Sequence, residues 1–167
     1  MAEARTSMVS FLDIGTLNGG STPNIVELGD GFNDISEDWG PDVQSTQYVN
    51  MDSKSSTLKG YDFSIEAERE YLSDDVQTAL DGLFKDLPVG SKCNTFYYRY
   101  FKKDIAFTSG TGKGTGIKLP VIVYPSKVGG KGGDVLTSTI KINGNGNPVK
   151  QTVSIAADGK ATFANVV

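Results

Sequence analysis

The clearest hydrophobic periodicity in the chain lies at residues 74–87, where Val76, Ala79, Leu80, Leu83, Phe84 and Leu87 recur at i, i+3, i+4, i+7, i+8 and i+11. That spacing draws a single apolar stripe along an α-helix. Ser73 precedes it as a capping residue, Asp74 and Asp75 stand at the positive end of the helix dipole, and Pro88 stops it. The stripe predicts a helix packed on a sheet through Val76, Leu80, Leu83 and Phe84.

Elsewhere the pattern has period two or consists of short apolar runs. Over 59–68, Tyr61, Phe63, Ile65 and Ala67 alternate with Asp62, Ser64, Glu66 and Glu68, which predicts one strand with a wet face. Further strands are expected at 9–14, 24–28, 47–51, 94–101, 117–124, 135–142, 148–155 and 161–166. Pro120 places its strand at an edge or a bulge, because proline cannot donate to a ladder. Between 29 and 43, turn residues mix with the core candidates Phe32, Ile35 and Trp39. The run NGNGN at 143–147 and the pair Asp158-Gly159 are hairpin signals, so the last third reads as an antiparallel meander. Residues 1–8 read as a mobile arm, and 37–57, 109–116 and 127–134 as long loops. The fold class expected is mainly β: an antiparallel β-sandwich or barrel with one flanking α-helix, forming a single domain over 1–167.

Composition narrows the chemistry. With 38% hydrophobic and 22% charged residues, the 167-residue chain is an ordinary globular domain. No apolar run reaches the ~18 residues of a membrane span, and the opening MAEARTSMVSFLDIG has no secretory h-region, so a soluble, cytoplasmically made protein is expected. The absence of histidine removes the commonest general base and histidine-liganded zinc, and the single Cys93 reads as a half-buried small hydrophobe. Charge is uneven. Residues 1–91 hold five basic and seventeen acidic side chains, a net −12, whereas 92–167 hold eleven and three, a net +8. Either one fold neutralises the two halves internally, or each subunit shows patches of opposite sign that favour head-to-tail self-association.

No motif resolves into a catalytic or ligand site. SGTGKGTG at 109–116 fails as a phosphate loop: with Gly112-Lys113 in register, Phe107 falls at the first glycine and Gly114 at the Ser/Thr position. A strand follows it, whereas a phosphate loop opens a helix. Asp30, Asp34, Glu37 and Asp38 lack the ladder of a calcium loop. Glu66, Glu68 and Glu70 share a wet strand face rather than facing each other as a glycosidase pair, and such a face meets solvent or lines a negative channel. Aromatic and basic residues interleave at Tyr97, Arg99, Tyr100, Lys102 and Lys103, a weak nucleic-acid signal in a chain of net charge −4. No enzyme, cofactor or metal is expected.

The order of elements resembles the major tail-tube protein family of tailed phages, especially those of Gram-positive hosts. The likeness spans roughly 25–166 and rests on ELGDGFNDISEDWGPDVQSTQYVNM at 27–51, GYDFSIEAERE at 60–70, the helix DDVQTALDGLF at 74–84, the glycine-punctuated strand pairs and the closing ADGKATF at 157–163. The resemblance implies hexameric rings of the chain itself, stacked into a hollow tail tube that conducts phage DNA. It also implies tape-measure, tail-terminator and tail-tip partners, DNA only as passing cargo, and residence in the virion tail after assembly in the host cytoplasm. In such a tube the expected lumen-facing residues are Asp62, Glu66 and Glu68, because carboxylates repel passing phosphates. The alternative from another class is a monomeric β-sandwich binding module for carbohydrate or protein, with the Tyr-rich strand 96–101 as its platform.

Overall fold

The computed structural model describes residues 2–167. Ten strands and one α-helix follow in the order β1 (Met8–Asp13), β2 (Ile25–Glu27), β3 (Pro41–Thr46), β4 (Ser55–Tyr61), β5 (Ser64–Glu70), α1 (Asp75–Asp86), β6 (Asn94–Thr108), β7 (Thr111–Gly129), β8 (Thr137–Gly144), β9 (Val149–Ile155) and β10 (Ala161–Asn165). All pairings are antiparallel. Eight strands form one sheet with the path β10-β9-β7-β6-β1-β2, to which β8 adds beside β7 and β5 beside β8; β3 and β4 form a separate two-stranded sheet.

The 19-residue β7 is the spine. One edge pairs with β6, and the other is shared end to end: Gly112–Lys118 pair with β9 and Val121–Gly129 with β8. Pro120 sits where the outer partner changes, and its carbonyl accepts the Asn145 amide at 2.8 Å. A proline is tolerated within this long strand because its missing N–H faces the gap between two partner strands. The NGNGN run is therefore not the hairpin turn expected of it: it joins two strands lying in line along β7. Tight hairpin turns lie instead at Ser109-Gly110, with φ of 50° and 82°, and at Asp158-Gly159.

Alternation along the sheet feeds two apolar cores. The first gathers Leu12, Ile65, Ala67, Tyr97, Leu119, Val121, Ile140 and Ile142 beneath the helix. The second, on the other face, holds Val9, Phe11, Tyr98, Tyr100, Ile105, Val153 and Ile155, with Phe163 against it. β1 serves both, sending Leu12 to one side and Val9 and Phe11 to the other. Phe163 on β10 meets Phe11 on β1 although three strands separate them, so the sheet curls over its second core. This is the mainly β, antiparallel architecture with one helix that the pattern predicts.

The helix is capped by Asp74 rather than Ser73: its carboxylate accepts the Gln77 amide at 2.8 Å. The last turn closes at Leu87, in the left-handed conformation with φ of 45°, just ahead of Pro88. Leu80 and Leu83 are buried in the first core, Val76 and Phe84 are half-buried against it, and Leu87 is exposed.

Three expectations are corrected. Residues 47–51 are the tip of the β3–β4 hairpin, not a strand, and within the 37–57 stretch expected as loop Pro41–Thr46 form its first arm and Ser55–Thr57 begin its second. Residues 59–68 are two strands, because the Asp62 amide turns aside to the carbonyls of Trp39 (2.9 Å) and Gly40 (3.1 Å). Residues 111–116 are ladder, not loop. Their glycines alternate on one face because β6 bulges over them between Tyr100 and Ile105; a Cβ at Gly114 would lie 2.1 Å from the Asp104 carbonyl oxygen. In the N-terminal segment read as an arm, Arg5–Ser7 form a 3-10 turn, and the Arg5 guanidinium donates to the Ile35 carbonyl at 2.9 Å.

Candidate assembly surfaces

β5 places Ile65, Ala67 and Arg69 inward and Glu66, Glu68 and Glu70 outward. The three glutamates, with Asp34 and Asn33, border a recess of about 300 Å³. Asp62 does not join them. It lies in the break between β4 and β5, beside a different cavity, because the amide contacts that end β4 take it out of the alternation. Of the residues singled out in the sequence, the structure brings Glu66 and Glu68 together, adds Glu70 and Asp34, and separates Asp62.

The inward partner of this acidic row is Arg69, only 1% exposed. It pairs with the Asp74 carboxylate, donates to Gln77 Oε1 at 3.0 Å and to the Asp30 carbonyl at 3.0 Å, and stands over the Phe32 ring. Buried guanidinium is tolerated only when its donors are satisfied, and here one side chain ties β5, the helix cap and the 30–32 turn together. The hydrogen bond from Arg69 holds Asp74 below its usual carboxyl range, against a smaller opposing effect of burial. The sequence signal was available: position 69 continues the inward parity of 65 and 67, and a cation there calls for a nearby carboxylate.

A second, half-buried pair joins Arg99 on β6 to Glu37, Nε to Oε2 at 2.9 Å. Burial pushes the Glu37 carboxyl up, and Arg99 and Arg5 oppose it only in part. Next to it the Tyr97 hydroxyl donates to Ser10 Oγ at 2.9 Å, and burial drives the phenol far above its ordinary value. Tyr97, Tyr98 and Tyr100 are all core residues, so strand 96–101 is not the exposed aromatic platform expected for a binding module. The interleaved basic-aromatic reading fails for the same reason, since Arg99 is spent on Glu37. Among the described residues no cluster of three or more His, Cys, Asp or Glu is arranged to hold a metal, and no helix is long and apolar enough to cross a membrane.

The surface that stands out is the β3–β4 hairpin. Every residue from Pro41 to Asn50 is exposed, and the hairpin carries Val43, Tyr48, Val49, Leu58 and Tyr61, with Val49 fully exposed. An isolated two-stranded ribbon is marginal in water, and exposed apolar side chains concentrated on one mark a surface that another molecule covers. At its base, Trp39 meets Phe63 at 4.7 Å and stands edge-on to Tyr61, and these rings help wall an apolar cavity of about 700 Å³.

No protein family model matches this chain, and no curated protein matches it. Solved structures do share its fold. A chain in the tail of an empty gene transfer agent (GTA) particle, with C6 symmetry, is 12% identical with a TM-score of 0.59, over 88% of this chain and 97% of that one. A chain in the sheath/tube terminator structure of an extracellular contractile injection system (PVC) is 8% identical with a TM-score of 0.54, over 90% of this chain and 97% of that one. A chain in the baseplate of the anti-feeding prophage (AFP) is 10% identical with a TM-score of 0.52, over 90% of this chain and 95% of that one. The fold of this chain is thus the tail-tube-like fold found in these phage-tail-like particles.

Proposed function

We propose that this chain is a structural virion protein whose copies close into hexameric rings, and that the rings stack into a hollow tail tube through which DNA passes to the host. The observation that carries this reading is the fold, shared along nearly the whole chain with a component of a C6-symmetric tail. The hairpin supports it, because a projecting apolar ribbon without a cover within its own chain fits a subunit completed by its neighbours. Closure into a ring also removes free sheet edges, here those of β2 and β10. The partners of this reading are further copies of the chain, with tape-measure, tail-terminator and tail-tip proteins at the ends of the tube. Assembly takes place in the host cytoplasm and the product resides in the virion tail.

Glu66 and Glu68, joined by Glu70, are the lumen-facing candidates, with the acidic row repelling phosphate so that DNA slides rather than sticks. The function is tested by sedimentation over a wide concentration range, with negative-stain microscopy, in the presence and absence of tail-tip components. Rings or tubes are expected. A monomer under every condition overturns the reading and favours a monomeric binding module.

A further inference from the structure

The β3–β4 hairpin carries a protrusion at one end and a cavity at the other. Its tip presents Tyr48, 64% exposed, and Val49, with no side chain of its own chain over them. The wall of its base cavity includes Trp39, Tyr61, Phe63, Leu119 and Pro148, and Asp62 is the one charged residue on it. Six-residue pairing between Pro41–Thr46 and Ser55–Tyr61 separates the two ends by about 20 Å, so a tip cannot fold back into its own base. Protrusion and cavity on one chain that cannot meet within it can meet between copies, and repeated head to tail such a contact closes a ring or extends as an open stack.

The geometry points to the hairpin tip of a second copy, Tyr48 and Val49 leading, as the occupant of the Trp39–Tyr61–Phe63 cavity. This rests on the tube reading and assigns both sides of one contact in it. Lys54 is the only cation in the 47–54 tip and supplies the counter-charge for Asp62. The mixed character of the cavity, apolar walls with one carboxylate, favours this partner. A continuous aromatic face for a sugar is not present, because Trp39 stands edge-on to Tyr61 at 87°.

The test uses the full chain. Gly60 lines the cavity, and a Cβ added there meets nothing within 4 Å, so Gly60→Leu adds bulk at the cavity wall without a clash at its Cβ. Gly132, where a Cβ also meets nothing within 4 Å, provides the control Gly132→Leu. Gly60→Leu is expected to raise the concentration needed for assembly about tenfold or more, as loss of one buried anchor does, with Gly132→Leu unchanged. Asp62→Lys and Lys54→Glu should each weaken assembly, and the two together should restore it. In mixtures of single variants, Val49→Cys should form disulfides with Gly60→Cys; these can only be intermolecular. If wild-type protein assembles and Gly60→Leu assembles equally well, the contact is overturned while the tube reading stands. Cross-linking of Gly60→Cys to Val167→Cys instead would make the neighbour's C-terminal residues the occupant and overturn the tip assignment. Failure of the wild type to assemble under any condition overturns the tube reading itself.

Discussion

Phe11 on β1 and Phe163 on β10 stand edge to face with ring centroids 5.2 Å apart, across a sheet in which three strands lie between them. Phe163 also contacts Tyr98 at 4.8 Å and Tyr100 at 6.4 Å. One ring on the last strand therefore closes the curl over the second core. Phe163→Ala should cost ~2–4 kcal/mol, toward the lower end because Phe163 is half-buried. The effect should be local: hydrogen exchange should speed up in β9 and β10 first, and leave the helix-covered core protected. Equal acceleration throughout would mean that β10 is not a separable closing strand.

The Arg69–Asp74 pair predicts a pH signature. Asp74→Asn keeps a good helix cap but removes the charge, and should cost ~1–2 kcal/mol near neutral pH, less than a fully buried pair because Asp74 is 38% exposed. Asp74 is held low in the folded state, so its contribution is present above the unfolded carboxyl value and lost as pH falls through the lower folded one. The gap between wild type and Asp74→Asn should thus narrow below about pH 4. Urea unfolding at several pH values measures it, and a constant gap would show that the charge is not what Asp74 contributes.

The glycines of β7 make a third prediction. Gly114→Ala places a Cβ 2.1 Å from the Asp104 carbonyl oxygen and 2.6 Å from Ile105 Cδ1. Backbone, not a flexible side-chain end, is the obstacle. The β6 bulge has to move, at ~2–4 kcal/mol. Gly132→Ala, with open space around it, should be within about 0.5 kcal/mol of wild type by thermal unfolding.

These cases show what the sequence disclosed and what it hid. The helix was legible because one face is buried, so Leu80 and Leu83 recur at helical spacing. Glu66 and Glu68 were legible as an exposed face because Ile65 and Ala67, which alternate with them, are core. Most of the β3–β4 hairpin was missed as strand, all but residues 59–61, because neither of its faces is buried: PDVQST and SSTLKGY have no buried face to detect, and backbone pairing alone makes them strands. Asp62 was misplaced because two tertiary hydrogen bonds interrupt a pattern that looks continuous in one dimension. The β7 glycines were read as flexibility, although their spacing of two was itself a strand signal, set by the bulge packed over them.

The last prediction concerns the acidic row. Glu66, Glu68 and Glu70 point outward from β5, while Ile65 and Ala67 are sealed in the first core, so the carboxylates must meet water or another subunit. Within a ring, a water-facing strand surface is either outer wall or channel. An outer wall tolerates either sign of charge, whereas a channel for DNA gains from negative charge, which keeps phosphates from binding. Replacing Glu66 and Glu68 with lysine in an assembling particle separates these places. In a channel, tubes still form but DNA passage slows, most at low salt, where screening over a Debye length is weakest. On an outer wall, assembly and passage are both normal. At a subunit contact, assembly itself fails, since two charge reversals opposite a fixed neighbour remove attraction and add repulsion. Tube yield and the salt dependence of DNA release, measured on the same preparation, distinguish the three outcomes, and only slowed, salt-sensitive release from intact tubes keeps Glu66 and Glu68 in the lumen.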